Sequence, residues 1–143
     1  MNWKSEAIER LSRYTAMTQA MENIPLELVR LKQDAVKLRG CRPDRLPGGS
    51  TPGPGDDALL GNLVKREELN VAYKNAKIWV ATTEKALSVL TGEERTILTK
   101  MYVTPEKGAV NALCEALGME QSSIYRKRDQ ALYRFTIALY GAA

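Results

Sequence analysis

Gln121-Ser122-Ser123 and the run Tyr125-Arg126-Lys127-Arg128 crowd into eight consecutive positions broken only by Ile124. These side chains suit one kind of chemistry. A glutamine amide offers donor and acceptor together and pairs bidentately with an adenine edge, as a guanidinium does with guanine. Serine hydroxyls bond to bases or to backbone oxygens, whereas lysine and arginine neutralise phosphates without regard to sequence. Covalent chemistry is a poor match. The chain has no histidine to activate Ser122 or Ser123, and a Lys127 base would need a burial that its cationic neighbours oppose. Two carboxylate pairs, Asp56-Asp57 and Glu93-Glu94, are explained as acids at helix starts, and adjacent helical residues do not face one another. No enzyme and no cofactor are expected.

To reach a duplex groove, these residues must be projected by a short helix held at a steep angle. Ala116-Leu117-Gly118-Met119 supplies the bend, since glycine adopts the left-handed conformation that ends a helix. Val110, Leu113, Cys114 and Leu117 precede it and Met119 and Ile124 follow, which is the apolar spacing of a right-angled helix pair. The second helix is then a recognition helix with its leading end exposed. The expected DNA-binding residues are Gln121, Ser122, Ser123, Tyr125, Arg126, Lys127 and Arg128, with Lys107 and Arg134 assisting at phosphates. Tyr125 has two readings: stacking or bonding at DNA, or packing sideways on its neighbours.

The rest of the chain reads as support. Ile8, Leu11, Tyr14, Met17, Met21, Leu28, Leu31, Ala35 and Leu38 recur at helical spacing. Pro25 interrupts them, giving either two helices that meet at Asn23-Ile24-Pro25 or one kinked helix. Glycines and prolines concentrate in residues 40–57, a flexible loop without the Gly-Lys-Ser/Thr ending of a phosphate-binding loop. A long helix follows from about residue 59 to 90, with a stripe of Leu63, Leu69, Ala72/Tyr73, Ala76, Val80, Thr83, Leu87 and Leu90. Its near-heptad repeat pairs within the chain or across a homodimer. Thr91-Gly92-Glu93-Glu94 forms a capping box that starts a helix running through Ile97, Leu98, Met101 and Tyr102. No β pattern is present. The expected fold is all-α: a long antiparallel helical hairpin over residues 1–90, then a helix-turn-helix bundle over 91–143.

Composition narrows the setting. The 143 residues carry a net charge of +4, which suits an acidic partner such as nucleic acid. Cys41 and Cys114 lack metal-ligand spacing and are too few for a disulfide framework, so no metal is expected and a cytoplasmic location is. No stretch reaches the ~20 apolar residues of a membrane span.

The segment Leu90-Thr91-Gly92-Glu93-Glu94-Arg95, with Leu113-Cys114-Glu115-Ala116-Leu117-Gly118-Met119, Ile124 to Arg128 and Ala131-Leu132, resembles region 4 of sigma factors. The whole chain is similar in layout to small sigma-factor-like proteins of prophages, in the neighbourhood of ArpU-type late-gene regulators. The resemblance covers about a third of the chain. It implies a phage transcriptional regulator that binds promoter double-stranded DNA through Gln121, Ser122, Ser123, Tyr125, Arg126 and Lys127. The sigma region that melts the promoter has no counterpart, and Arg128 occupies a site that is commonly apolar in region 4. Two other readings stay open: a helical adaptor that binds RNA polymerase or another protein, and a DNA-recognition subunit of a phage packaging machine.

Overall fold

A computed structural model describes residues 2–40 and 54–143 of the chain. Its elements are α1 (Trp3–Gly40), α2 (Pro54–Ser88), α3 (Gly92–Leu98), α4 (Ala109–Leu117) and α5 (Gln121–Tyr140). A π-helical turn, Thr99–Val103, continues directly from α3. Among the described residues no strand occurs, so the chain is all-helical there. Most of the expected Gly/Pro-rich loop, including Cys41, lies outside the described residues.

Pro25 does not divide α1. One helix runs through it, although an interior proline loses a backbone bond and clashes with the preceding turn, at a cost of about 3 kcal/mol. Met21, Ile24 and Leu28, on either side of it, are partly buried.

The chain forms two compact units, residues 1–18 with 78–143 and residues 19–77. In the second unit Leu31 and Ala35 of α1 and Ala76 of α2 are buried. Asn62 is buried with them and donates its amide to the Leu31 carbonyl at 2.8 Å, while its oxygen accepts from Arg66 at 2.9 Å. This bond corrects the expected stripe. With position 62 turned inward, Leu63 points away and is exposed, and so is Ala72; the inward line runs Asn62, Leu69, Tyr73, Ala76.

The first unit has two apolar clusters. The larger joins Ala7 and Leu11 of α1, Ala86 of α2, and Leu90, Leu98, Ala131, Leu132 and Phe135. Leu90 therefore belongs with the C-terminal helices, and the boundary expected after residue 90 falls inside this unit. Arg10 fastens the same region: its guanidinium stacks on Trp79, 4.7 Å from the ring centroid, and donates to Thr83 Oγ1 at 2.8 Å. The smaller cluster joins Ile97, Leu113 and Ile124, bordered by Met101, Val110, Cys114, Leu117 and Met119. All six apolar positions expected around the Gly118 bend are among them, joined by Ile97 and Met101.

Candidate nucleic-acid interface

The site is built on α3, α4 and α5 and begins with the capping box. Thr91 Oγ1 accepts from the Glu94 N–H at 3.3 Å, and the Glu94 carboxylate accepts from the Thr91 N–H at 3.2 Å. Both ends of the reciprocal pair are therefore satisfied, as the Thr-x-x-Glu spacing requires. Glu94 is buried and also accepts from Arg134 of α5, so the start of α3 is tied to the middle of α5. The helix expected to run on through Tyr102 instead widens into the π turn after Leu98, closed by Thr104 N–H donating to Thr99 O at 2.9 Å. Tyr102 on that turn lies beside Arg128.

Two glycines frame α4, Gly108 at φ 73 and Gly118 at φ 61. Beyond Gly118, Met119 N–H returns to the Cys114 carbonyl at 3.2 Å and Glu120 is extended. The chain then enters α5 with no side-chain cap, and the first intrahelical bond of this turn is Ile124 N–H to Glu120 O at 3.1 Å. The amides of Gln121, Ser122 and Ser123 accordingly have no partner within the helix, which leaves a partial positive charge at this end.

Ile124 is fully buried, and the other residues of the expected set spread around it. Gln121, Ser122, Tyr125 and Arg126 are exposed; Ser123, Lys127 and Arg128 are partly buried. Arg126 points almost opposite Ile124 by helical geometry, which is 100° per residue, and it makes no hydrogen bond or ion pair with any described residue. On one flank the Gln121 amide reaches the Tyr125 hydroxyl at 3.5 Å, and the Arg128 guanidinium lies 4.9 Å from the centroid of the Tyr125 ring. Tyr125 is 37% exposed, so it covers Arg128 while keeping its outer edge free.

The basic run is thus three different environments rather than one patch. Arg126 is free. Lys127 forms an ion pair with Glu93 at the start of α3. Arg128 turns inward: its side chain is 23% exposed and is bonded to Asp129 at 2.9 Å, which in turn pairs with Lys4 at 3.0 Å. Burial by itself raises the Asp129 carboxyl, but the hydrogen bonds from Lys4 and Arg128 outweigh it and hold the group below its usual value.

Two further expectations change. Arg134 is not a free phosphate contact: its side chain stays about half exposed, but its guanidinium is committed to Glu94 and the Val89 carbonyl. Lys107 stays exposed ahead of α4. Sequence reasoning also passed over Arg95 and Lys100, which line a shallow recess with Gly92, Thr96 and Thr99 and no carboxylate. Their signal was present in the chain: Arg95 falls opposite the inward residues Glu94, Ile97 and Leu98 of α3, and Lys100 follows on the π turn. The Glu93–Lys127 pair had no local signal, because its partners lie 34 positions apart.

Among the described residues no group of three or more His, Cys, Asp or Glu side chains is placed to hold a metal ion. No described helix is long and apolar enough to cross a membrane. No family model, no curated protein and no solved structure matches this chain.

Proposed function

We propose that this chain is a sequence-specific, duplex-DNA-binding transcriptional regulator, with α4 and α5 as a helix-turn-helix and α1 and α2 as a supporting antiparallel hairpin. One observation carries the reading. The αL bend at Gly118 and the small Ile97–Leu113–Ile124 core hold α5 by its inner face and leave Gln121, Ser122, Tyr125 and Arg126 exposed at its leading end. In this assignment Gln121 and Arg126 read base edges, the serines and free amides meet phosphates, and Arg95, Lys100 and Lys107 add sequence-blind attraction. The likeness of the Leu90–Arg95 and Leu113–Met119 segments to sigma region 4 agrees with it and points to a phage or prophage promoter as target, met in the cytoplasm.

The test is a binding-site selection from random duplex DNA, followed by gel shifts of the wild type and Arg126→Ala on the selected site across a salt series. The reading expects an enriched site, and a loss of about 10- to 100-fold for Arg126→Ala, the worth of one bidentate base contact. No enrichment, or unchanged affinity of a folded variant, rejects it.

A second reading has its own observation. Leu26, Val36 and Leu60 of the second unit are 60–70% exposed, which is unusual for large apolar residues on two long helices. An adaptor role for that unit, gripping RNA polymerase or another protein, would account for them and is compatible with DNA binding by the first unit. Loss of polymerase capture on changing Leu26 and Val36 to serine, with DNA affinity intact, supports it.

A further inference from the structure

We infer that Glu93 is a built-in competitor for the phosphate backbone: it occupies Lys127 and so holds down the sequence-blind affinity of α5 for duplex DNA. This inference rests on the DNA-binding reading above. Lys127 is the member of the basic run whose type and place best suit a phosphate contact, because Arg126 faces straight out and Arg128 is bound at the Tyr125 ring. Yet its ammonium is already paired with the Glu93 carboxylate, and both side chains are more than a third exposed. An ion pair in that setting is weak and exchangeable. A phosphate can therefore displace Glu93, but only by giving up part of its own attraction. Glu93 adds only a first-turn charge to the helix start, because the capping box itself is closed by Thr91 and Glu94. Its pairing with Lys127 is thus separable from the cap that starts the helix.

The experiment measures fluorescence anisotropy of a labelled random-sequence duplex over a salt series. It uses the full chain as wild type, Glu93→Gln, Lys127→Gln and the double variant, with helix content checked by circular dichroism. Glu93→Gln is expected to tighten binding by roughly 2- to 5-fold at low salt, the range an exposed pair allows. It should also steepen the slope of log K against log salt by up to ~0.9, the signature of one more neutralised phosphate. In the Lys127→Gln background the same change should gain less than half as much. Glu93→Ala should act in the same direction, which guards against an effect peculiar to the amide. Wild-type binding with no gain from either Glu93 variant overturns the inference and leaves the DNA-binding reading standing. So does a full gain in the absence of Lys127, since Glu93 would then act by general repulsion. Failure of the wild type to bind duplex at low salt sinks the DNA-binding reading itself.

Discussion

Replacing Glu94 by alanine should loosen the joint between α3 and α5, and the structure allows its cost to be assembled. The carboxylate is 7% exposed and has two donors, the Thr91 N–H at 3.2 Å and the Arg134 guanidinium. Losing the first leaves a helix-start amide without its cap, worth about 1 kcal/mol. Losing the second removes an ion pair in which the acid is buried but the arginine is 47% exposed, so its worth stays near 1 kcal/mol rather than the several of a fully buried pair. The acid also lies in the first turn of α3, which adds about 0.5 kcal/mol through the helix dipole. The sum is about 2–3 kcal/mol. At an unfolding entropy of about 2 cal/mol/K per residue, 1 kcal/mol shifts Tm by ~3 °C in a chain of this length, so Glu94→Ala should melt roughly 6–9 °C below wild type. Glu94→Gln keeps an acceptor for Thr91 and loses only the charge, and should cost about half as much. A double-mutant cycle with Arg134→Met, read by thermal and urea unfolding, should return a coupling near 1 kcal/mol. A Tm within a degree of wild type for Glu94→Ala, or strictly additive single variants, would refute the claim that this carboxylate serves both helices.

Gly118→Ala should cost about 1 kcal/mol in urea unfolding. The residue sits at φ 61 with nothing within 4 Å of an added Cβ, so only backbone strain is at stake, and Gly118→Asn should recover about half. Tyr14 donates to Glu84 at 2.6 Å; that bond first, then burial and the nearby charge, push its pKa from 10.0 up to about 12. The folded state therefore holds this proton more tightly than the unfolded chain. Its stabilisation is whole below pH 10 and is lost as the pH rises through about 12, and Tyr14→Phe should flatten that limb of a stability–pH profile. Asn62→Asp puts an acceptor against the Leu31 carbonyl in place of a donor, and should cost about 1–3 kcal/mol at neutral pH. Part of that loss should return as the pH falls toward about 4, because the buried carboxyl facing a carbonyl takes up its proton before the unfolded chain does and can then donate.

The parts of the fold legible in the chain are those governed by local rules. Thr91 and Glu94 announce a helix start because the cap is a contact between residues three apart, and Gly118 announces a bend because only its own backbone must comply. The apolar period of α1 was equally readable, with Leu11, Leu31 and Ala35 buried as expected. The stripe of α2 was misread by one residue at its N-terminal end. There the inward position is a polar one, Asn62, chosen by a carbonyl on a helix 31 positions earlier. Pro25 left two helices or one open, because a proline marks a possible break without deciding it, and the chain forms one helix through it.

The same division runs through the candidate interface. Residue type placed Gln121, Ser122, Tyr125 and Arg126 on an exposed helix end, and they lie there. Residue type grouped Arg126, Lys127 and Arg128 as one DNA-binding run, with Arg128 set apart only by its commonly apolar site, and their surroundings differ further. Helical geometry separates successive side chains by 100°, so three neighbours in sequence must address three different surroundings: solvent for Arg126, the acid at the start of α3 for Lys127, and the Tyr125–Asp129 edge for Arg128. A basic run on a helix that packs on one side can therefore offer a groove roughly one unencumbered cation per turn. Charges carried on neighbouring elements, here Arg95, Lys100 and Lys107, must supply the remainder. On the proposed function, the salt dependence of binding should accordingly be shared between α5 and those three residues. Changing Arg95 and Lys100 together to glutamine should reduce the salt slope by up to about 2 units, while leaving the preferred site unchanged. An altered site preference, or an unaltered slope, would place the duplex elsewhere on the molecule.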